Sequence, residues 1–320
     1  MIVLSLFDWI SCARVALQRA WFDVERYFAS EIDQYAIKVS EKNRSEICHI
    51  WDVKEIVASS FWQWKIDLLI WWSPCQDLSI AKKNRQWLDG EKSWLFREYV
   101  RILKETKPKR FVLENVASMP KDAQKMITET LGVEPIMINA SLVSAQSRKR
   151  LFRTNIPGVT LPEDKWILLK DIIEDWSTND LKSYCVLSNY QRMTLQNYMK
   201  WQWQLIFWAS KEELVVPEPT KKWYSIANEW DSVDVLYPTS KTRRWRVSKK
   251  ARTIISWSTN SSCVFSKWIL RKLTPVECER LQCLPDEYTA WISNSQRYKC
   301  LWNAFNVDVV AHILSFIPKK

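Results

Sequence analysis

Glycine is almost missing: the 320-residue chain carries 3, where an average usage near 7% would give roughly 22. Tight turns that depend on glycine cannot be built from three of them, so either such turns are absent or another residue occupies them. Histidine is equally scarce, with only His49 and His312, and the eight cysteines (12, 48, 75, 185, 263, 278, 283 and 300) include no Cys-x-x-Cys pair. This excludes a zinc site of ordinary spacing, predicts no metal, and fits reduced thiols in a cytoplasmic compartment. No apolar run nears the length that spans a bilayer. The apolar N-terminus is broken at once by Asp8, so neither a membrane span nor a signal peptide is expected.

Tryptophan, by contrast, appears 21 times. Several tryptophans stand where glycine physics is wanted: Trp9 in Asp8-Trp9-Ile10-Ser11, Trp51 before Asp52, and Trp71-Trp72 before Ser73-Pro74-Cys75. Two adjacent indoles at a strand-to-loop turn are costly, whereas glycine there permits positive φ and the close approach of a ligand. The expectation is that most of these positions are glycine, encoded by UGA in a variant genetic code. UGG codons at Trp9, Trp72 and Trp302 would end that idea. The net charge of +11 makes a polyanionic partner plausible.

Along the chain, short apolar runs alternate with helical spacing. Val3 to Phe7, Val24 to Ser30, Ile47 to Ile50, Leu68 to Ile70, Phe111 to Leu113 and Ile136 to Ile138 read as strands. Ala13, Ala16, Leu17 and Ala20 share a helix face, as do Phe96, Tyr99, Val100 and Leu103. Strand alternating with helix predicts an α/β fold with a parallel, doubly wound sheet. In such sheets ligands bind beyond the carboxyl ends of the strands. There the sequence places Asp8, Glu31, Asp52, Cys75 and Glu114, and Glu31 falls near the roughly 20-residue offset at which an acidic residue meets a ribose. A lone cysteine usually packs as a small hydrophobe. Cys75, just past a strand and held by Pro74, is instead well set up as a nucleophile.

The alternation fades near Trp166. Residues 180–240 mix short apolar runs with prolines, suggesting a smaller irregular lobe. The stretch 241–252 then carries Lys241, Arg243, Arg244, Arg246, Lys249, Lys250 and Arg252, dense enough to favour phosphate contacts. Leu273-Thr274-Pro275-Val276-Glu277 is a helix start with proline in the first turn, and Val307 to Phe316 reads as a closing helix. The expected organisation is a catalytic and cofactor-binding domain over 1–165, a target-recognition lobe over 166–270, and a return to the first domain over 271–320.

In this order the motifs resemble those of the DNA cytosine-5 methyltransferase family, over nearly the whole chain. Leu6-Phe7-Asp8-Trp9-Ile10-Ser11 resembles its first cofactor motif, Ser73-Pro74-Cys75-Gln76 its catalytic loop, and Glu114-Asn115-Val116 the motif that grips the target base. Gln146-Ser147-Arg148-Lys149-Arg150 fits Gln-x-Arg-x-Arg, Arg271 to Pro285 resembles the motif supporting the recognition lobe, and Trp302-Asn303-Ala304 resembles the last motif. The look is closest to the de novo branch and its phage and bacterial relatives, and the departures are glycine to tryptophan. The resemblance implies a Rossmann-like, S-adenosylmethionine-dependent methyltransferase sheet with a recognition lobe. Cofactor contacts are then expected from Phe7, Asp8, Trp9, Ile10, Glu31, Ile32, Asp52, Val53, Pro74, Leu95, Asn303 and Ala304. Catalysis is expected from Cys75, Glu114, Arg148 and Arg150, and double-stranded DNA contacts from Arg243, Arg244, Arg246, Lys249 and Lys250.

The chemistry accounts for these residue types. Cytosine C5 is a poor nucleophile until something adds at C6, and a thiolate is the best side chain for that addition. Two other readings stay open: an RNA (tRNA) cytosine-5 methyltransferase, whose Cys-Phe-Thr signature is absent here, and a catalytically dead DNA-binding relative, which need not keep Cys75. A restriction endonuclease stays open as a further partner.

Overall fold

The computed structural model describes residues 1–50, 52–61, 63–72, 94–174, 213–217, 224–228, 231–234, 246–252, 263–266 and 269–319. The first half runs through β1 (Ile2–Leu6), α1 (Cys12–Arg19), β2 (Arg26–Ser30), α2 (Gln34–Asn43), β3 (Cys48–His49), β4 (Leu68–Trp72) and α3 (Trp94–Thr106). It continues with β5 (Arg110–Val116), α4 (Lys121–Leu131), β6 (Ile136–Asn139), β7 (Gln146–Ser147) and β8 (Lys149–Thr154). Seven of these strands form one sheet in the order β3-β2-β1-β4-β5-β8-β6. Pairing is parallel from β3 to β5 and antiparallel where β8 enters between β5 and β6.

The expected strands and helices are present, and the sheet is mostly parallel. All five residues of β4 are buried, as a central strand covered on both faces requires. Leu4, Leu6, Leu69, Tyr99, Ile102, Leu113 and Ile127 share one apolar core with Val53 and Phe96. Asp33 caps α2 by accepting from Tyr35 N and Ala36 N at 3.0 and 3.2 Å, which fixes the chain just past Glu31. The antiparallel β8 was not among the expected strands. Its basic residues, Lys149, Arg150 and Arg153, hide a strand from any hydrophobic count.

The chain divides into two compact units, Met1–Asn139 with Lys149–Pro162 and Asn306–Lys320, and Ala140–Arg148 with Glu163–Phe305. In the first, the closing helix Val307–Ser315 packs on α1, with Asp308 paired to Arg19. In the second, β9 (Glu213–Pro217) and β10 (Tyr224–Asn228) form a hairpin. β11 (Ser232–Asp234), β12 (Arg246–Ser248), β14 (Cys263–Ser266) and β15 (Ile269–Lys272) form a four-stranded sheet, while β13 (Ala251–Arg252) runs parallel to β7. Two helices follow, α5 (Pro275–Leu281) and α6 (Asn294–Asn303). The first opens with proline in its first turn, as its sequence predicts, and adds a capping box between Thr274 and Glu277. No described helix is long and apolar enough to cross a membrane.

Candidate functional site

Because β3, β2, β1, β4 and β5 run parallel, their carboxyl ends share one edge of the sheet. The turn leaving β1 is the tightest part of it. Phe7, Trp9 and Ser11 all take left-handed backbone, at φ 56°, 51° and 57°. Between them Asp8 is 1% exposed. Its carboxylate accepts from Tyr27 Oη at 2.5 Å and Ser11 Oγ at 2.6 Å, and Ser11 in turn meets the Ser40 hydroxyl. Burial raises the Asp8 carboxyl above its ordinary value, against the pull of those hydroxyls. Burial and the neighbouring Asp8 likewise push the Tyr27 phenol well up.

Glu31, the residue after β2, ties that strand to the turn. Its Oε2 accepts from Trp9 N at 3.0 Å, and its Oε1 from Ile32 N and Asp33 N, each at 2.8 Å. Burial raises this carboxyl, while the three amides lower it. A carboxylate offers about four lone-pair sites, so three backbone donors leave room for roughly one more. Asp52, after β3, accepts from Lys54 N at 2.9 Å and so starts the short helical turn Val53–Glu55. Val53 itself is core, and Leu95 packs against the same core from α3. Ile32 is exposed.

At the end of β4 the Trp71 indole is buried, stacked on Tyr99 at 4.7 Å and tilted against Phe7 at 6.0 Å. Pro74 and Cys75 follow β4 in sequence and lie outside the described residues. In the neighbouring strand, Glu114 pairs in register with Trp72. Glu114 sits within β5 rather than beyond it, since the antiparallel β8 extends β5 as far as Val116. Arg150 reaches it across that pairing, Nε to Oε1 at 2.7 Å, both side chains being mostly buried. The opposite face of the same two strands holds a second arginine. Arg153, fully buried, donates to Asn115 Oδ1 at 3.2 Å and to the Gln124 carbonyl of α4 at 3.0 Å. Burial lowers the Arg153 pKa.

In the second unit, Arg148 is 4% exposed and donates from Nη2 to the carbonyls of Ala304 (2.8 Å) and Trp302 (3.2 Å). It thus holds the backbone on both sides of Asn303. Lys249 pairs with Asp231 at 2.7 Å, and Lys250 donates to the Ser141 carbonyl, 3.8 Å from Asp164. Arg246 lies on β12, while Arg243 and Arg244 lie outside the described residues.

The first unit therefore gathers Phe7, Asp8, Trp9, Ile10, Glu31, Ile32, Asp52, Val53, Leu95, Glu114 and Arg150. Arg148, Lys249, Lys250, Asn303 and Ala304 belong to the second. Sequence reasoning missed the Tyr27–Asp8–Ser11–Ser40 cluster and Arg153. A tyrosine in a strand and an arginine after a basic motif carry no signal of burial until strand register is known. Among the described residues no cluster of His, Cys, Asp and Glu could hold a metal ion.

A mostly parallel α/β sheet with acidic residues along its carboxyl edge belongs to the doubly wound class, in which ligands bind beyond the carboxyl ends of the strands. More particularly, the chain belongs to the C-5 cytosine-specific DNA methylase family, whose model matches residues 1–319. It is 30% identical over 201 residues to the orphan methyltransferase M.SPRI of Bacillus phage SPR, covering 57% of this chain and 45% of that protein. The chain thus spans less than half the length of this phage relative. It is 27% identical over 327 residues to the type II methyltransferase M.HpaII of Haemophilus parainfluenzae, covering 96% of this chain and 86% of the other. In fold it resembles the Entamoeba histolytica methyltransferase EhMeth, with TM-score 0.67 and 16% identity over 99% of this chain and 97% of that one.

Proposed function

We propose that this protein is a DNA cytosine-5 methyltransferase using S-adenosylmethionine. The observation that carries the proposal is the buried Glu114–Arg150 pair at the carboxyl end of β5. It stands beside β4, the strand whose sequence continues into Pro74-Cys75.

The strand-edge carboxylates suit the methyl donor: Glu31 has capacity left for a ribose hydroxyl, and Asp52 presents a second acceptor to the adenine amine. When bound, S-adenosylmethionine supplies an electrophilic methyl group. The Cys75 thiolate adds to C6 of the cytosine, while Glu114 hydrogen-bonds or protonates N3, so that C5 gains carbanion character. C5 would accept that methyl group, with S-adenosylhomocysteine left behind; a water or side chain would then remove the C5 proton, the C6–sulfur bond break to return the thiolate, and any proton lent to N3 go back to Glu114. The target base must leave the duplex, at a cost of a few kcal/mol. Arg150, locked to Glu114, presents that carboxylate to the extruded base. Arg148 fixes the backbone at Trp302 and Ala304, within the motif that the family resemblance assigns to the cofactor. In this proposal residues 1–165 carry catalysis, 166–270 target recognition through the basic stretch with Arg243, Arg244 and Arg246, and 271–320 the returning motifs.

Labelled-methyl incorporation into duplex DNA and into tRNA, with the parent and Cys75→Ala, tests this. DNA labelling by the parent, lost in Cys75→Ala with DNA binding kept, is expected. Labelling of tRNA alone, or turnover of the variant within tenfold of the parent, would overturn the DNA substrate or the covalent step respectively.

A further inference from the structure

Three tryptophans take left-handed backbone: Trp9 at φ 51°, Trp21 at φ 60° and Trp166 at φ 54°. For an L-residue this region is strained, most of all for a bulky one. Burial does not offset the strain, since the Trp21 and Trp166 side chains are 84% and 76% exposed. The two described glycines, Gly132 and Gly158, occupy the same region at φ 68° and 73°.

The end of α1 makes the comparison concrete. Phe22 N donates to Leu17 O and Trp21 N to Gln18 O, each at 3.0 Å. This is the paired bonding of a Schellman motif, with Trp21 at the left-handed position where helices normally place glycine. Helix α4 ends in the same backbone conformation, and there the residue is Gly132. Phe7, Ser11, Lys107, Cys283 and Glu287 also have positive φ, so that angle alone identifies nothing. Phe7 joins it to bulk as well; what sets the three tryptophans apart is the composition, 21 tryptophans against 3 glycines.

We infer that positions 9, 21 and 166 are glycine in the working protein, its UGA codons being read as glycine, and that a bare backbone at position 9 is what admits the methyl donor. The last clause rests on the functional proposal. Trp9 N donates to the Glu31 carboxylate at 3.0 Å, so position 9 lies beside the edge assigned to the cofactor, where an indole adds bulk that glycine lacks. Positions 21 and 166 are independent of it, having no part in the site.

Three measurements on the full chain test the inference. In denaturant unfolding, Trp21→Gly and Trp166→Gly should each raise the folded-to-unfolded ratio about threefold to tenfold, relief of strain outweighing the added freedom of the unfolded chain. Equal or lower stability in both would overturn the glycine assignment there. In calorimetric titration, Trp9→Gly should bind S-adenosylmethionine at least about tenfold more tightly than the parent, the scale of relieved overpacking. Equal binding by the two would overturn the role of position 9. Binding by neither would overturn the functional proposal, while the unfolding result still decides positions 21 and 166. The mass of the peptide holding position 21, purified from cells that naturally express the gene, should correspond to glycine; tryptophan would overturn the recoding.

Discussion

Two carboxylates, on Asp8 and Glu31, are buried within one turn of each other, and each holds part of the backbone or side-chain frame that shapes it. Burial raises both above their ordinary values of 3.8 and 4.5. The folded state therefore binds these protons more tightly than the unfolded chain. Their contribution to stability is fully present below the ordinary values and is lost as pH rises through the raised ones. Asp8→Asn cannot ionise, so its stability relative to the parent should improve steadily as pH rises from 4 towards neutrality. Urea melts of the two proteins across that range would show it, and a pH-independent difference would count against a buried, raised carboxyl. Glu31→Ala should weaken S-adenosylmethionine binding at least tenfold. It should also cost about 1–3 kcal/mol of stability, because it leaves buried backbone donors without an acceptor.

Among the elements, β8 decides how β5 is presented. Its side chains alternate across the sheet, so Arg150 meets Glu114 on one face and Arg153 meets Asn115 on the other. Arg153 also reaches α4 through Gln124 O and through Thr128 Oγ1 at 3.4 Å, binding strand to helix. The two arginines should separate in experiment. Arg153→Ala should lose on the order of 3 kcal/mol, from a cavity and from stranded buried acceptors, as read by denaturant midpoint. Arg150→Ala should keep most of the stability and lose methyl transfer at least tenfold, since it frees the Glu114 carboxylate from its only ion pair among the described residues. Equal stability losses with unchanged turnover would make β8 a structural brace alone.

For the whole molecule, the net charge of +11 suits the DNA partner of the proposed function. Lys250 is tied to Ser141 and Asp164, and Lys249 to Asp231. Under the proposed function the phosphate contacts would then rest mainly on Arg243, Arg244 and Arg246, with less from Lys249 and Lys250. Neutralising Arg243, Arg244 and Arg246 together should weaken binding to all DNA sequences alike and flatten the log–log salt dependence by roughly one per lost contact. Lys250→Ala should change that slope little. A loss confined to one target sequence, at constant slope, would show base readout by the arginines instead.

The sequence by itself determined the alternation of strand and helix, the placing of acidic residues at strand ends, and the family, because each of these is written in local periodicity and motif order. Val3 to Phe7 and Leu68 to Ile70 are short apolar runs that read as buried strands, Glu31 follows its strand directly and Asp52 stands three residues past its own. What tertiary structure decided was the partner of each polar group. Nothing local says that Arg150 faces Glu114 while Arg153 turns to Asn115, or that Arg148 is spent on the backbone beside Asn303. Those choices depend on the register of β8 against β5 and on the long-range return of residues 302–304, contacts between residues more than thirty positions apart. Backbone hand is set closer by: at Trp21 by the bonds that end α1, at Trp166 by Asp164, and at Trp9 with the help of Glu31. Composition raised the suspicion of glycine across the chain, but only the folded turns show where a side chain is a burden, because φ belongs to the turn and not to the residue count.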